Sequence, residues 1–543
     1  MILAISELRL FQNESRKADE RSQNMIRTFA AIDVGSFELE LGIFEISDKT
    51  GIRAIDHVKH MIGLGSDTFT SGKISYQMVE ETCEILKDFA RIMEGYQVMD
   101  CRAYATTAMR EAKNSRIVLE QIRVRTGINV QVISNSEQRF ISYKAIASRD
   151  AEFQKTIQKG TAIVDVGFGS MQISLFDKDA LVSTQNLPLG ILQLRRALAH
   201  ASVSASLEQK LVRELVDNEL VTFRKMYLKD REIKNLIAIG DPILNLFSKM
   251  SSGAQGTRIT RERFDEIYQW LQGKTREQLE DAFDINSEYA AMLFPTATIY
   301  KRILEMTGAE NIWAPGIRIV DGIVAEYGEE KKLLKFNHNF SDDIIATSRN
   351  MARRYKCHMP HVQVVERAAL QIFDALKKYH GMKSRERLLL QIAADLHSCG
   401  KFVTMRNATE CAYNIIMSTE IIGLSHVERE IVANVVKYHI QTFRYNEVEL
   451  QNHSSRDSRL ANPENLPLVI AKLTAILRLA NSMDRSHAAK LTDCRLSVKG
   501  QQLFITTEYE GDVTLERLSI EDKGNFFEEI FGVRPVLKQK RRV

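Results

Sequence analysis

With 8 prolines and 6 cysteines in 543 residues, the chain is poor in the residues that build stiff linkers and covalent cross-links. No proline-rich linker or low-complexity stretch interrupts it, so its domains are expected to pack together rather than hang on tethers. The cysteines stand apart at 83, 101, 357, 399, 411 and 494, with no CxxC pair among them. That excludes a disulfide scaffold and points to reduced thiols in a cytoplasm. No apolar run reaches the ~18 residues that span a bilayer. Charges also interrupt the N-terminus where a signal peptide needs an apolar core. An excess of one charge is missing as well: 74 Lys and Arg face 70 Asp and Glu, a formal net charge of +4. This balance gives no argument for a nucleic acid or a membrane as partner. The local cluster Lys538, Lys540, Arg541 and Arg542 is expected to be a solvated tail.

What is present is one motif written twice. Residues 31–45 read AIDVGSFELELGIFE, and residues 163–177 read IVDVGFGSMQISLFD. Asp33, Gly35 and Phe44 recur as Asp165, Gly167 and Phe176 at a constant offset of 132 residues. Each copy alternates after its turn, through Leu39, Leu41 and Ile43 or Met171, Ile173 and Leu175. Each therefore predicts a strand, a tight D-x-G turn and a returning strand with one buried face. A single D-x-G hairpin is common as plain structure. Two in register favour a duplicated α/β unit with a cleft between its halves, where glycine turns let backbone N–H groups approach an anion. Asp33 and Asp165 at facing turns could hold a divalent cation or orient water. This is the logic of the actin-like ATPase fold.

The length predicts three or four domains. Residues 1–28 read as an N-terminal extension, with Met25 just ahead of the first strand. Strands alternate with helical spacing over 29–135, as an α/β domain requires. A second α/β domain is expected over 136–328, opened by a helix at Ser136 with Glu137 in its first turn. Residues 329–490 are almost continuously helical by periodicity. Alternation returns over 491–543, which predicts a small α/β cap.

Together these pieces resemble the exopolyphosphatase / guanosine pentaphosphate phosphohydrolase family. AAIDVGS looks like its first phosphate loop, YATTAMREAKN (104–114) resembles its ATSALRDAKN segment, and VDVGFGS (164–170) resembles its second loop. ISNSEQRFISY (133–143) resembles its catalytic-glutamate segment, and LPLGILQL (187–194) its LPLGAVRL segment. LHSCGKFV (396–403), IIMSTEIIGLSHVERE (415–430) and ILRLANSMDRS (476–486) look like the HD-type domain of long members. The resemblance implies duplicated actin-like (ribonuclease H-like) domains, an all-α HD-like domain and a small α/β cap. It also implies water attack on the terminal phosphoanhydride of polyphosphate or guanosine pentaphosphate, with Mg²⁺ offsetting charge. On this resemblance Glu137 and Asp165 are catalytic, and Asp33 and Asp165 hold the metal. Gly35, Ser36, Arg110, Gly167, Gly169 and Ser170 bind phosphate. A capping role for Glu137 and a surface role for Arg110 are the plain structural alternatives. A second copy of the chain is a further candidate partner.

The departures from the family cluster at the site. Phe37 and Glu38 replace two small polar ligands, Phe168 replaces a glycine, and Gln172 stands at an acidic position. Gly240-Asp241-Pro242 replaces a GGT loop. A carboxylate at position 38 repels a polyanion unless it points away or a cation intervenes. In the helical region His361 and His397 fit HD ligand positions, with His439 and Asp484 as distant partners. Ser398 stands where aspartate is expected, and Cys411 where a histidine is. Two readings follow: a phosphoanhydride hydrolase, or a catalytically weak relative that binds a phosphorylated ligand or partner as a sensor.

Overall fold

The computed structural model describes residues 27–47, 49–149, 153–178, 180–199, 205–229, 231–250, 258–336, 338–445, 448, 450 and 459–540. The N-terminal 26 residues of the expected extension, and Arg541 and Arg542, lie outside the described residues. The chain divides into two compact units between Asn339 and Phe340.

The first unit holds two mixed sheets of matching order. β1 (Arg27–Val34), β2 (Glu38–Ser47), β3 (Gly51–Met61), β4 (Asp100–Ala105) and β5 (Val130–Val132) form a sheet in the order β3-β2-β1-β4-β5. β6 (Thr161–Val166), β7 (Met171–Asp177), β8 (Ala180–Leu187), β9 (Asn235–Ile239), β10 (Arg258–Thr260) and β11 (Asn311–Trp313) form the second, in the order β10-β11-β9-β6-β7-β8. In each sheet an antiparallel hairpin is followed by a parallel partner, β4 beside β1 and β9 beside β6. Cross-strand pairs repeat with the motif: Asp33 lies opposite Glu40, and Asp165 opposite Gln172. This is the duplicated, actin-like arrangement that the paired motifs predict.

Both faces of the first sheet are covered, so its hairpin is apolar almost throughout. Ala30, Ile32, Val34, Leu39, Leu41 and Ile43 pack on the helices Tyr76–Gly95 and Ser115–Thr126. Phe29, Ala31, Phe44 and Ile46 pack on the opposite side against Ile141, Val320, Ile323, Val324 and Tyr327. The last five lie on the helices Asn135–Arg149 and Ile319–Glu330. The chain therefore leaves the first lobe, builds the second, and returns to cover the first sheet. On the second sheet Val164, Ile173, Leu236 and Ala238 pack in one core with the helix Ser287–Thr307. Tyr300 of that helix is fully buried, and its hydroxyl donates 2.8 Å to the Ile239 carbonyl.

Among its described residues the second unit carries a series of helices between Phe340 and Ser482. It continues with a three-stranded sheet of β12 (Arg495–Lys499), β13 (Gln502–Thr507) and β14 (Arg534–Gln539), and with the helix Thr514–Phe531. None of the described helices is long and apolar enough to cross a membrane.

Gly190 shows how tightly the second loop is packed. A Cβ there would fall on the carbonyl carbon of Gly169 and the carbonyl oxygen of Phe168, both backbone atoms of the second D-x-G turn. Gly190→Ala is expected to lower stability by ~1–3 kcal/mol, the usual cost of overpacking. The midpoint of urea unfolding measures it.

Candidate active site

Both D-x-G turns open on one cavity of about 100 Å³, room for several water-sized groups. Asp33, Gly35, Ser36, Glu38 and Glu40 come from the first hairpin. Asp165, Gly167, Phe168, Gly169, Ser170 and Gln172 come from the second. Thr106, Thr107, Gln138, Gly240, Pro242 and Arg318 complete its polar and turn-forming wall. The two aspartates end parallel-paired central strands, where carboxyl-end loops of α/β sheets gather ligands.

The turn glycines act through shape. Gly35 N–H donates 3.0 Å to Glu38 O, and Gly167 N–H donates 3.0 Å to Ser170 O. Both amides are thus engaged in closing their own hairpins. A Cβ on Gly35 would lie 2.7 Å from Glu38 O, too close for that turn to form. The hydroxyl-bearing residues Ser36, Ser170, Thr106 and Thr107 that line the cavity offer further anion contacts. Ser36 Oγ also accepts from Ala108 N–H at 3.1 Å.

The substituted positions form two groups. The Phe37 ring is buried in the core of the second lobe, 4.9 Å from the Phe168 ring and 5.6 Å from the Tyr289 ring. The two loops thus meet through aromatic contact beside the cavity. Glu38 lines the cavity and does not point away from it. Lys59 Nζ lies 2.9 Å from Glu38 Oε1, and Tyr289 donates its hydroxyl to Glu38 Oε2. The carboxylate is partly neutralised rather than averted. Gln172 is buried, and its Oε1 accepts no hydrogen bond among the described residues.

Helix Asn135–Arg149 starts one residue earlier than the expected Ser136, and its first turn separates two neighbours. Ser134 N–H donates 2.9 Å to Glu137 Oε2, while Glu137 N–H donates 3.2 Å to Ser134 Oγ. This reciprocal pair is a capping box. Glu137 is not among the residues lining the cavity; Gln138 is, with its buried Oε1 accepting no hydrogen bond among the described residues. Arg110 is likewise drawn into local structure. It donates 2.6 Å to Ile133 O, 3.0 Å to Thr107 Oγ1, and also to Asn135 Oδ1. Burial holds its guanidinium down to about 10. Sequence reasoning missed Glu40, Gln138, Thr106, Thr107 and Arg318. The two threonines sit inside the YATTAMR segment that carried Arg110, so that segment was the signal. Arg318 had none.

The second unit gathers imidazoles. His361 Nδ1 lies 2.7 Å from Asp484 Oδ2, and its Nε2 is 3.2 Å from Asn481 Oδ1. His397 contacts the rings of His361 at 5.2 Å and His439 at 5.5 Å, and His487 stacks on His361 at 3.7 Å. His397 and His439 each donate Nδ1–H to the backbone carbonyl three residues before them. Ser398 is buried, its Oγ without a hydrogen bond among the described residues, and Cys411 is half-buried on the helix Ala408–Ser418. Among the described residues, no group of three or more His, Cys, Asp or Glu is placed to hold a metal ion.

Comparison with known proteins agrees with this architecture. The Ppx/GppA phosphatase family matches residues 43–324, and domain III of that family matches residues 345–523. A solved Ppx/GppA family member from Aquifex aeolicus is 21% identical, over 58% of this chain and 100% of its own, with a TM-score of 0.49. A solved exopolyphosphatase from Cytophaga hutchinsonii is 18% identical, over 56% of this chain and 98% of its own, with a TM-score of 0.50.

The buried imidazoles set a pH dependence. Burial holds His439 down to about 4 and His397 well below its ordinary 6.5. An unfolded chain takes up those protons near pH 6.5 and the folded one does not, so stability falls as pH drops from 6.5 towards 4. Asp395 opposes this: burial beside Glu366 pushes it up to about 7, so the folded chain holds that proton and gains stability over the same range. The two histidines outnumber it. Net loss on acidification is expected, of order 1.4 kcal/mol per pH unit at most per uncompensated group. Urea unfolding of the full chain at pH 7 and pH 5, followed by circular dichroism, measures it.

Proposed function

The chain belongs to the Ppx/GppA phosphatase family, and from that membership we propose that its cleft cleaves the terminal phosphoanhydride of polyphosphate or a guanosine pentaphosphate-type alarmone, slowly. The observation that carries this reading is the convergence of both D-x-G hairpins, with their aspartates and hydroxyls, on one cavity. Ser36, Ser170, Thr106 and Thr107 hold the terminal phosphate oxygens by hydroxyl hydrogen bonds. The donor set also suits Mg²⁺. Asp33 and Asp165 are hard oxygen ligands, and the amide oxygens of Gln138 and Gln172 can accept from its waters. Mg²⁺ is commonly held by one or two carboxylates while keeping several waters. When bound it offsets phosphate charge.

Hydrolysis then adds water to the terminal phosphorus and breaks the bridging P–O bond. The shortened chain leaves with the bridging oxygen, and orthophosphate is released. Gln138 orients the water but cannot take its proton, and Glu137 is engaged with the Ser134 amide. The proton then passes to a phosphate oxygen, to bulk water or to a neighbouring carboxylate such as Asp165, with no glutamate at position 138 to take it, which makes the step slow. We read the helices of the second unit as an HD-like domain and its three-stranded sheet as a small cap, serving regulation or polymer binding. A cytoplasmic location and self-association as a homodimer belong to the same reading.

A second reading, a sensor that binds a phosphorylated ligand without turnover, is favoured by the two cavity-facing amides of Gln138 and Gln172.

Phosphate release from long-chain polyphosphate and guanosine pentaphosphate is expected to be weak and to require Mg²⁺. Gln138→Glu should raise it by ~10²-fold, the lower range of general-base assistance. Glu137→Gln should change turnover only a few-fold, as expected for a residue that acts through its helix cap. No release by natural protein and Gln138→Glu alike, with ligand still bound, would favour the sensor.

A further inference from the structure

The cavity holds four carboxylates, Asp33, Glu38, Glu40 and Asp165, yet among the described residues lining it Arg318 is the only cation. Arg318 stands at the N-cap of the helix Ile319–Glu330, with its backbone N–H donating 2.9 Å to Asp321 Oδ2. Its side chain is anchored at one point. Nε is buried and lies 3.7 Å from Glu40 Oε1. Glu40 is itself almost fully buried, with Lys59 Nζ at 2.9 Å and His57 Nε2 at 3.2 Å. The carboxylate is therefore a fixed post among three basic groups rather than a mobile partner. The two terminal nitrogens of Arg318 have no hydrogen-bond partner among the described residues, and its side chain is 33% exposed. Arg110, the guanidinium that the chain's motif suggested for phosphate, spends its donors on Ile133, Thr107 and Asn135.

Building on the phosphate-binding reading of this cleft, we propose that Arg318 is its anion-recognising residue, gripping two oxygens of one phosphoryl group with its terminal nitrogens while Glu40 positions it. A planar guanidinium meets two phosphate oxygens at once, which an ammonium cannot do. The fork selects phosphoryl groups over single-point anions, and it offers one attraction in an otherwise acidic wall. Its contact lies on the helix that returns to the first lobe, so ligand binding ties the returning helix to the two hairpins.

The test is calorimetric titration of the full chain with tripolyphosphate in Mg²⁺, which reads binding without turnover. Arg318→Lys keeps the charge but loses the fork, and should weaken binding ~10-fold. Arg318→Gln should weaken it further. Arg123→Gln removes the same charge from an exposed helix outside the cavity, and should leave binding unchanged. Glu40→Gln also removes a negative charge from the cavity, so its part in positioning Arg318 is read from the double-mutant cycle: it should cost more binding in the natural background than in Arg318→Lys. Natural protein that binds while Arg318→Lys and Arg318→Gln bind equally well overturns the assignment and leaves the cleft reading standing. Equal losses in Arg318→Gln and Arg123→Gln also overturn it, as bulk charge. Natural protein that binds no tripolyphosphate removes the cleft reading itself, and this assignment with it.

Discussion

One short hydrogen bond, made twice, organises the first unit. Gly35 N–H to Glu38 O and Gly167 N–H to Ser170 O each close a D-x-G hairpin at 3.0 Å. The closure sets register, and in a strand a slip of one residue turns every side chain to the other face. With the register held, Asp33 pairs across from Glu40 and Asp165 across from Gln172, and all four line the same cavity. The apolar residues between them go to the cores on either side. Cavity-lining and packing faces are separated by the same alternation.

The duplication is close in backbone and broken in chemistry. Glu40 in the first hairpin corresponds to Gln172 in the second, so two related positions carry a charge and an amide. The first is satisfied by Lys59, His57 and Arg318. The second accepts no hydrogen bond among the described residues. Phe37 and Phe168, which look unrelated along the chain, are one substitution in space: each ring fills the room beside the other. Large aromatic side chains at two facing turns exchange polar contacts for apolar burial between the lobes. That exchange ties the lobes together through apolar contact beside the cavity.

In the second unit the histidines illustrate how burial decides role. An imidazole that donates Nδ1–H to a backbone carbonyl is held in one tautomer and kept neutral by desolvation. His397 and His439 do this, and Asp484 orients His361. Ring-to-ring packing then makes the cluster part of the core. The replacement of two expected ligands by Ser398 and Cys411 fits this packing role, since neither brings a second carboxylate or imidazole to it.

The sequence by itself determined the duplicated hairpins, the largely helical character of the C-terminal region, and the family resemblance. These are local patterns of period 2 and 3.6, or short motifs, and they survive without knowledge of distant partners. Tertiary structure decided which side chains meet the cavity. Glu137 and Gln138 differ by one position, about 100° around a helix. Which of them faces the cleft depends on the capping box at Ser134 and on how the helix lies against the first sheet. Glu38 lines the cavity because Lys59 and Tyr289, from opposite lobes, hold its carboxylate there. Arg318 enters from a helix that crosses back between lobes, nearly three hundred residues after the first turn. No local pattern encodes that return; it is set by the apolar face of Val320, Ile323, Val324 and Tyr327 finding Phe29 and Phe44 on the first sheet.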